Sequence, residues 1–172
     1  AQRRDPIVTT RRLYSKTGKF MKTEFILFLM VSLLLVSCST YSENELATFD
    51  QKIKAHTDSL GLDYEKLDNG LYVHILDKGN EDERIRMTDK VTFYYTGEFL
   101  NGDVFQEIPK EEALEYKVNE LIIGWQEALM LLGEGGEIDV IIPPQLGYGS
   151  KNTALIPPNS ILKYRLKVLE VR

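Results

Sequence analysis

Past residue 60 the chain alternates apolar and polar positions in short runs separated by turn dipeptides. Tyr64-Glu65-Lys66-Leu67 and Leu71-Tyr72-Val73-His74-Ile75-Leu76 flank Asp68-Asn69-Gly70 and predict a strand pair. Val91, Phe93 and Tyr95 share one face of the next run, which continues through Phe99-Leu100, turns at Asn101-Gly102 and returns as Asp103-Val104-Phe105 until Pro109 ends it. Leu114 to Val118 alternates again. Ile138 to Ile142 is a strand halted by Pro143-Pro144, and in the last run, Ile161 to Val171, Leu162, Tyr164, Leu166 and Val168 share an inner face while Lys163, Arg165 and Lys167 turn to water. Only Glu120 to Leu132 breaks this period of two. There Trp125, Ala128, Leu129 and Leu132 fall at i, i+3, i+4 and i+7, the spacing of a short amphipathic helix bracketed by Gly124 and Gly133. Five or six antiparallel strands around one short helix predict an α+β domain over residues 62–172.

A second helical period precedes that body. Leu46, Phe49, Ile53, His56 and Leu60 recur at steps of three and four, Ser42 and Glu45 have the capping-box spacing, and Gly61 stops the run. A stripe this short can dock on the body or pair with a second copy, and docking is the commoner outcome. His56 and His74 are expected to be packed or exposed, with no cluster of metal ligands around them.

Further upstream the pattern is continuous. Phe25 to Val36 is a twelve-residue apolar run behind Met21-Lys22-Thr23, the length of a signal-peptide core and short of the ~20 residues that span a bilayer. It ends in Leu35-Val36-Ser37-Cys38, which resembles the lipobox of bacterial lipoproteins. That resemblance implies a signal over residues 21–37, cleavage before Cys38, and lipidation of its thiol, with residues 38–61 as a tether and helix. An ordinary signal peptide with an incidental cysteine is the alternative. Residues 1–20, basic and without apolar period, are expected to be an extension ahead of the true start.

Charge sharpens the picture. The net charge is -5, with 43% hydrophobic and 27% charged residues, ordinary for a globular chain. Residues 1–37 hold seven of the 21 basic and two of the 26 acidic side chains, so the body carries 14 against 24. Such an acidic body repels phosphate backbones and argues against nucleic acid as a partner. Cys38, the single cysteine, excludes an internal disulfide.

Five aromatics, Tyr95, Phe105, Trp125, Tyr148 and Tyr164, come from five different elements. They can form a plain core. Tyr148, however, sits between Gly147 and Gly149 in a loop stiffened by Pro143-Pro144 and Pro157-Pro158, where core residues are rare, and this points instead to a pocket.

Taken together, Tyr95-Thr96-Gly97, the hairpin to Phe105, Leu121-Ile122-Ile123-Gly124-Trp125, Gly147-Tyr148-Gly149 and Leu155-Ile156-Pro157-Pro158 resemble, in order and spacing, an FKBP-type peptidyl-prolyl cis/trans isomerase (rotamase). The resemblance implies a site floored by Trp125 and walled by Tyr95, Phe105, Leu121, Ile122 and Tyr164, with Tyr148 and Ile156 on the covering loop. It also implies hydrogen bonds to substrate from the Ile122 amide and the Tyr148 hydroxyl, proline-containing polypeptides as partners, macrolides as possible ligands, and no cofactor. One more wall aromatic is expected near Leu114 or Tyr116. Where the family usually has an aspartate after the phenylalanine, bonded to the wall tyrosine, this chain has Gln106.

With the signal, the resemblance implies an isomerase for exported proteins, lipid-anchored outside the cytoplasm at the periplasmic face of the outer membrane. Two other readings stay open: a non-catalytic proline-peptide-binding chaperone or adaptor, and an assembly lipoprotein that works through the Leu46–Leu60 stripe.

Overall fold

The structure, a computed structural model, describes residues 41–172. The apolar run Phe25–Val36 and Cys38 lie outside the described residues. Among those described, no helix is long and apolar enough to cross a membrane.

Helix α1 (Glu43–Leu60) opens with Ser42 as its cap. The Ser42 hydroxyl accepts from the Glu45 N–H, and the Glu45 carboxylate accepts from the Ser42 N–H at 2.8 Å, so two otherwise orphaned donors are satisfied. Gly61, left-handed at φ 64°, ends it. Its buried residues are Phe49, Ile53 and Thr57. Thr57, not the expected Leu60, continues the stripe: Thr57 lies one turn after Ile53 on the buried face, and Leu60 stays exposed.

Seven antiparallel strands follow: β1 (Glu65–Lys66), β2 (Tyr72–Asp77), β3 (Lys90–Phe99), β4 (Val104–Ile108), β5 (Leu114–Lys117), β6 (Glu137–Ile142) and β7 (Leu162–Val171). Their order is β1-β2-β6-β7-β3-β4, with β5 also on β3. The sequence predicts five or six. All seven observed strands fall on apolar-polar runs marked in the sequence, and ten-residue β3 holds β5 along Lys90–Phe93 and β4 along Tyr95–Glu98 on the same edge. The β3–β4 turn spans Leu100–Asp103, longer than the expected two residues, because a bulge at Gly97/Glu98 shifts the register.

The core lies between the sheet and helix α2 (Ile123–Leu129). Ala128, Leu129 and Leu132 are fully buried, although Leu132 lies beyond the helix proper, and Val118–Glu120 forms a separate 3-10 turn. Gly124 lets α2 approach β6: a Cβ there would sit 2.6 Å from Ile142. Period-two alternation explains the rest. Ile138, Val140 and Ile142 of β6 enter this core, while Ile141 pairs in register with Tyr72 on the opposite face, where Ile53 of α1 covers both. Burying an isoleucine in full contributes about 1.5–3 kcal/mol, enough to fix a helix also tied by Asp50 to Lys66 at 2.6 Å and by the Tyr72 hydroxyl donating to Asp50 at 2.9 Å.

On the outer face of β7, Arg165 is exposed as expected and the two lysines depart from expectation. Lys163 and Lys167 are half-buried rather than turned to open water, paired with Glu98 and Glu137, and Arg165 donates two bonds of 2.7 Å to Asp139, which is 1% exposed. The cause is pairing across the sheet: Glu98 of β3 and Glu137 of β6 hold the two lysine ammonium groups against neighbouring strands.

Candidate functional site

A cavity of about 370 Å³ opens where the N-terminal end of α2 meets the inner face of the sheet. Trp125 reaches it from the first turn of α2 and is 7% exposed. Its indole meets three rings edge-on: Tyr95 at 4.8 Å, Tyr164 at 4.9 Å and Phe93 at 5.2 Å between centroids, the geometry that sets the positive edge of one ring on the negative face of another. Phe93 and Tyr95 project from β3 two residues apart, and Tyr164 comes from the neighbouring β7, so the pleat itself delivers the walls. Gly97 opposite Tyr164 is required by packing, since a Cβ would lie 2.7 Å from Phe105 and 2.8 Å from Tyr164.

The sequence-predicted residues Tyr95, Gln106, Leu121, Ile122, Trp125, Tyr148 and Tyr164 all line this cavity. Phe105 and Ile156 do not. Phe105 stands behind Tyr164, edge-on at 5.6 Å, and packs on Phe99 at 4.9 Å because the bulge turns β4 at that point. Ile156 is folded into the core at 5% exposure, while its neighbour Leu155 is 54% exposed. Four lining residues were not singled out as site residues: Phe93, Leu114, Tyr116 and Glu120. Phe93 shares the inward period of Tyr95, the signal that finds it; Leu114 and Tyr116 both line the wall, answering the question of the remaining aromatic.

The polar equipment is sparse. Glu120 is the one acidic side chain in the lining. The Tyr95 hydroxyl is pushed up to about 12 by burial first and then by the nearby Tyr148 and Tyr116 hydroxyls, and burial raises Tyr164 as well, so both are neutral donors throughout the physiological range. The Ile122 carbonyl accepts from Trp125 N–H at 2.9 Å and Gln126 N–H at 3.1 Å, and Gln126 Nε2 donates to the Leu121 carbonyl at 2.7 Å, which pins the turn ahead of α2. The Ile122 N–H at that cap has no backbone partner among the described residues and is free to bond a ligand carbonyl. No group of three or more His, Cys, Asp or Glu side chains able to hold a metal occurs among the described residues.

The profile of the family described as FKBP-type peptidyl-prolyl cis-trans isomerase matches residues 81–169, more than half of the chain. This chain belongs to that family. The FKBP region takes in β3 through nearly all of β7, and with them every residue of the cavity. A probable FKBP-type peptidyl-prolyl cis-trans isomerase of Haemophilus influenzae is 39% identical over 113 residues, 64% of this chain and 46% of the relative. The FKBP-type 22 kDa isomerase of Escherichia coli is 36% identical over 106 residues, 60% of this chain and 51% of the relative. The chain thus spans about half the length of the curated relatives it matches. Among solved structures, FkpA from Escherichia coli superposes with a TM-score of 0.65 at 25% identity, covering 94% of this chain and 74% of FkpA. A peptidyl-prolyl cis-trans isomerase from Pseudomonas syringae gives 0.63 at 20% identity, over 78% of this chain and 98% of the other, a likeness of fold.

Proposed function

We propose that this protein is a peptidyl-prolyl cis/trans isomerase that acts on Xaa-Pro bonds of exported polypeptides. The single observation that carries the reading is the tyrosine- and tryptophan-lined cavity within the FKBP-family region. Rotation about an Xaa-Pro bond has a barrier near ~20 kcal/mol because twisting breaks amide resonance. The twisted amide carries less charge on oxygen than the planar one, so an apolar cavity binds it in preference, and the barrier falls by that difference. In this reading the proline ring rests on Trp125 between Tyr95 and Tyr164. The Ile122 N–H and the Tyr148 hydroxyl hold the flanking carbonyls, and Leu121 and Gln106 complete the wall. Phe105 supports Tyr164 from behind, and Ile156 shapes the covering loop. No covalent bond is made or broken, so neither a nucleophile nor a cofactor is called for. Macrolides that present a proline-like ring would occupy the same cleft.

The apolar run Phe25–Val36 ending at Cys38 supports export and lipid anchoring, with the domain held at the periplasmic face of the outer membrane, where newly exported chains need slow prolyl bonds turned over. Acceleration of cis/trans exchange in a proline tetrapeptide tests the activity: no acceleration at high protein concentration with binding retained would leave the second reading, a proline-peptide-binding module, which the neutral Gln106 favours. Cys38→Ala should release the protein from membranes; unchanged retention refutes the anchor.

A further inference from the structure

The loop that carries Tyr148 is closed at its base by Asn159, whose N–H donates to the Gly149 carbonyl at 2.8 Å. Asn159, at φ 61°, is the only non-glycine residue with positive φ among the described residues, a conformation that asparagine tolerates better than most side chains. Its amide oxygen accepts a 2.7 Å hydrogen bond from the Tyr41 hydroxyl, 118 positions away in sequence. Tyr41 precedes α1, is 6% exposed, and sets its ring edge-on to Phe49 of that helix at 5.4 Å. The position a Cβ would take on Gly149, next to Tyr148, lies 3.8 Å from the same hydroxyl. One buried side chain on the N-terminal helix segment therefore meets both ends of the loop base.

We propose that Tyr41 is a positioning residue for the cleft: by bridging the α1 segment to Asn159 it fixes the base of the 147–159 loop and holds Tyr148 at the cavity wall. This rests on the isomerase reading of the cavity. A loop without a pinned base opens more often. Binding must then select the closed fraction, which weakens apparent affinity by that fraction and leaves the bound-state chemistry alone.

The test compares the full chain with Tyr41→Phe, which keeps the ring, with Asn159→Gly, which accepts the same φ, and with the double variant. One net hydrogen bond corresponds to about a fivefold change in population. Amide exchange at Gly149, Lys151 and Asn159 should quicken about fivefold in each single variant and no further in the double, while β6 and β7 keep their rates. KM for a proline tetrapeptide should rise by a similar factor with kcat little changed. Unaltered loop exchange, equal quickening in β6 and β7, or additive effects in the double variant would each overturn the proposal. Should the parent chain fail to catalyse, the isomerase reading falls on its own, and loop exchange still decides whether Tyr41 anchors the loop.

Discussion

Gln106→Asp probes the electrostatics of the cleft most directly. Gln106 lies on β4 opposite Gly97 and lines the cavity with Tyr95, whose hydroxyl burial keeps protonated to about 12. Replacing the amide by a carboxylate turns any bond from that hydroxyl into a charge-assisted one, worth ~1.5–3 kcal/mol against ~0.5–1.5 for a neutral pair. Residue 106 is only half-buried, so solvent screens part of the gain. What remains, about 1 kcal/mol, corresponds to roughly a fivefold rise in kcat/KM if the charge fixes Tyr95 against the twisting amide.

The pH profile isolates the cause. The bond that stabilises the carboxylate lowers its pKa below the free aspartate value, so the gain should be complete at pH 7 and shrink only as pH falls into the acid range where that carboxylate is protonated. Tyr95 does not ionise below about 12 and cannot mimic this profile. The assay is cis/trans exchange of a proline tetrapeptide read by a method that needs no coupling protease. A rate at pH 7 equal to or below the parent's, or a gain that persists once that carboxylate is protonated, would refute the electrostatic argument and shift weight to the binding-module reading.

The outer face makes further predictions. Arg165→Met should cost about 3–5 kcal/mol in urea denaturation because it strands the 1%-exposed Asp139 carboxylate, whereas Asp139→Asn should cost only about 1 kcal/mol because the Arg165 side chain, 58% exposed, can turn to water; equal costs would contradict this. Ile53→Ala should destabilise by about 2–4 kcal/mol and quicken amide exchange along α1. His56 has its pKa lowered by burial first and then by Lys163, so its contribution is complete above the usual value of about 6.5 and is lost as pH falls through the window below it; the urea midpoint should drop between pH 7.5 and 5.5, and His56→Leu should flatten that drop.

Much of the inner layer is legible in the sequence because one physical rule, period-two burial against a single helix, governs it. Phe93, Tyr95, Tyr164 and Leu166 obey that rule, and Trp125, Ala128 and Leu129 obey its helical counterpart. Positions that depend on a register shift were not legible. Phe105 follows the alternation in sequence, but the Gly97/Glu98 bulge rotates it behind Tyr164, and no dipeptide signals that bulge. Ile156 turns into the core for a reason the sequence does not display: the loop is closed by side-chain bonds such as Ile156 N–H to Thr153 Oγ1 at 2.9 Å, which carry no periodic signature. Thr57 was passed over because a threonine at i+4 from Ile53 reads as polar, although it is buried with its hydroxyl bonded to the Lys54 carbonyl.

Both faces of β6 and β7 are put to use, which divides stability from function. The inner residues of these strands, Ile138, Val140, Tyr164 and Leu166, support α2 and thereby the Trp125 floor; on the outer face Ile141 packs on Ile53 of α1, and Asp139–Arg165 and Lys163–Glu98 pair across the sheet. Because neighbouring residues of one strand point to opposite faces, an outer-face substitution removes contacts from the α1 layer without deleting a cavity wall. Loss of α1 contacts should therefore lower stability with the cleft's chemistry intact, except where the Tyr41–Asn159 bond reaches the base of the Tyr148 loop. A variant set in which Ile53→Ala and Arg165→Met lower the urea midpoint but leave KM unmoved, beside a Tyr41→Phe chain that raises KM, is the pattern this two-layer arrangement requires.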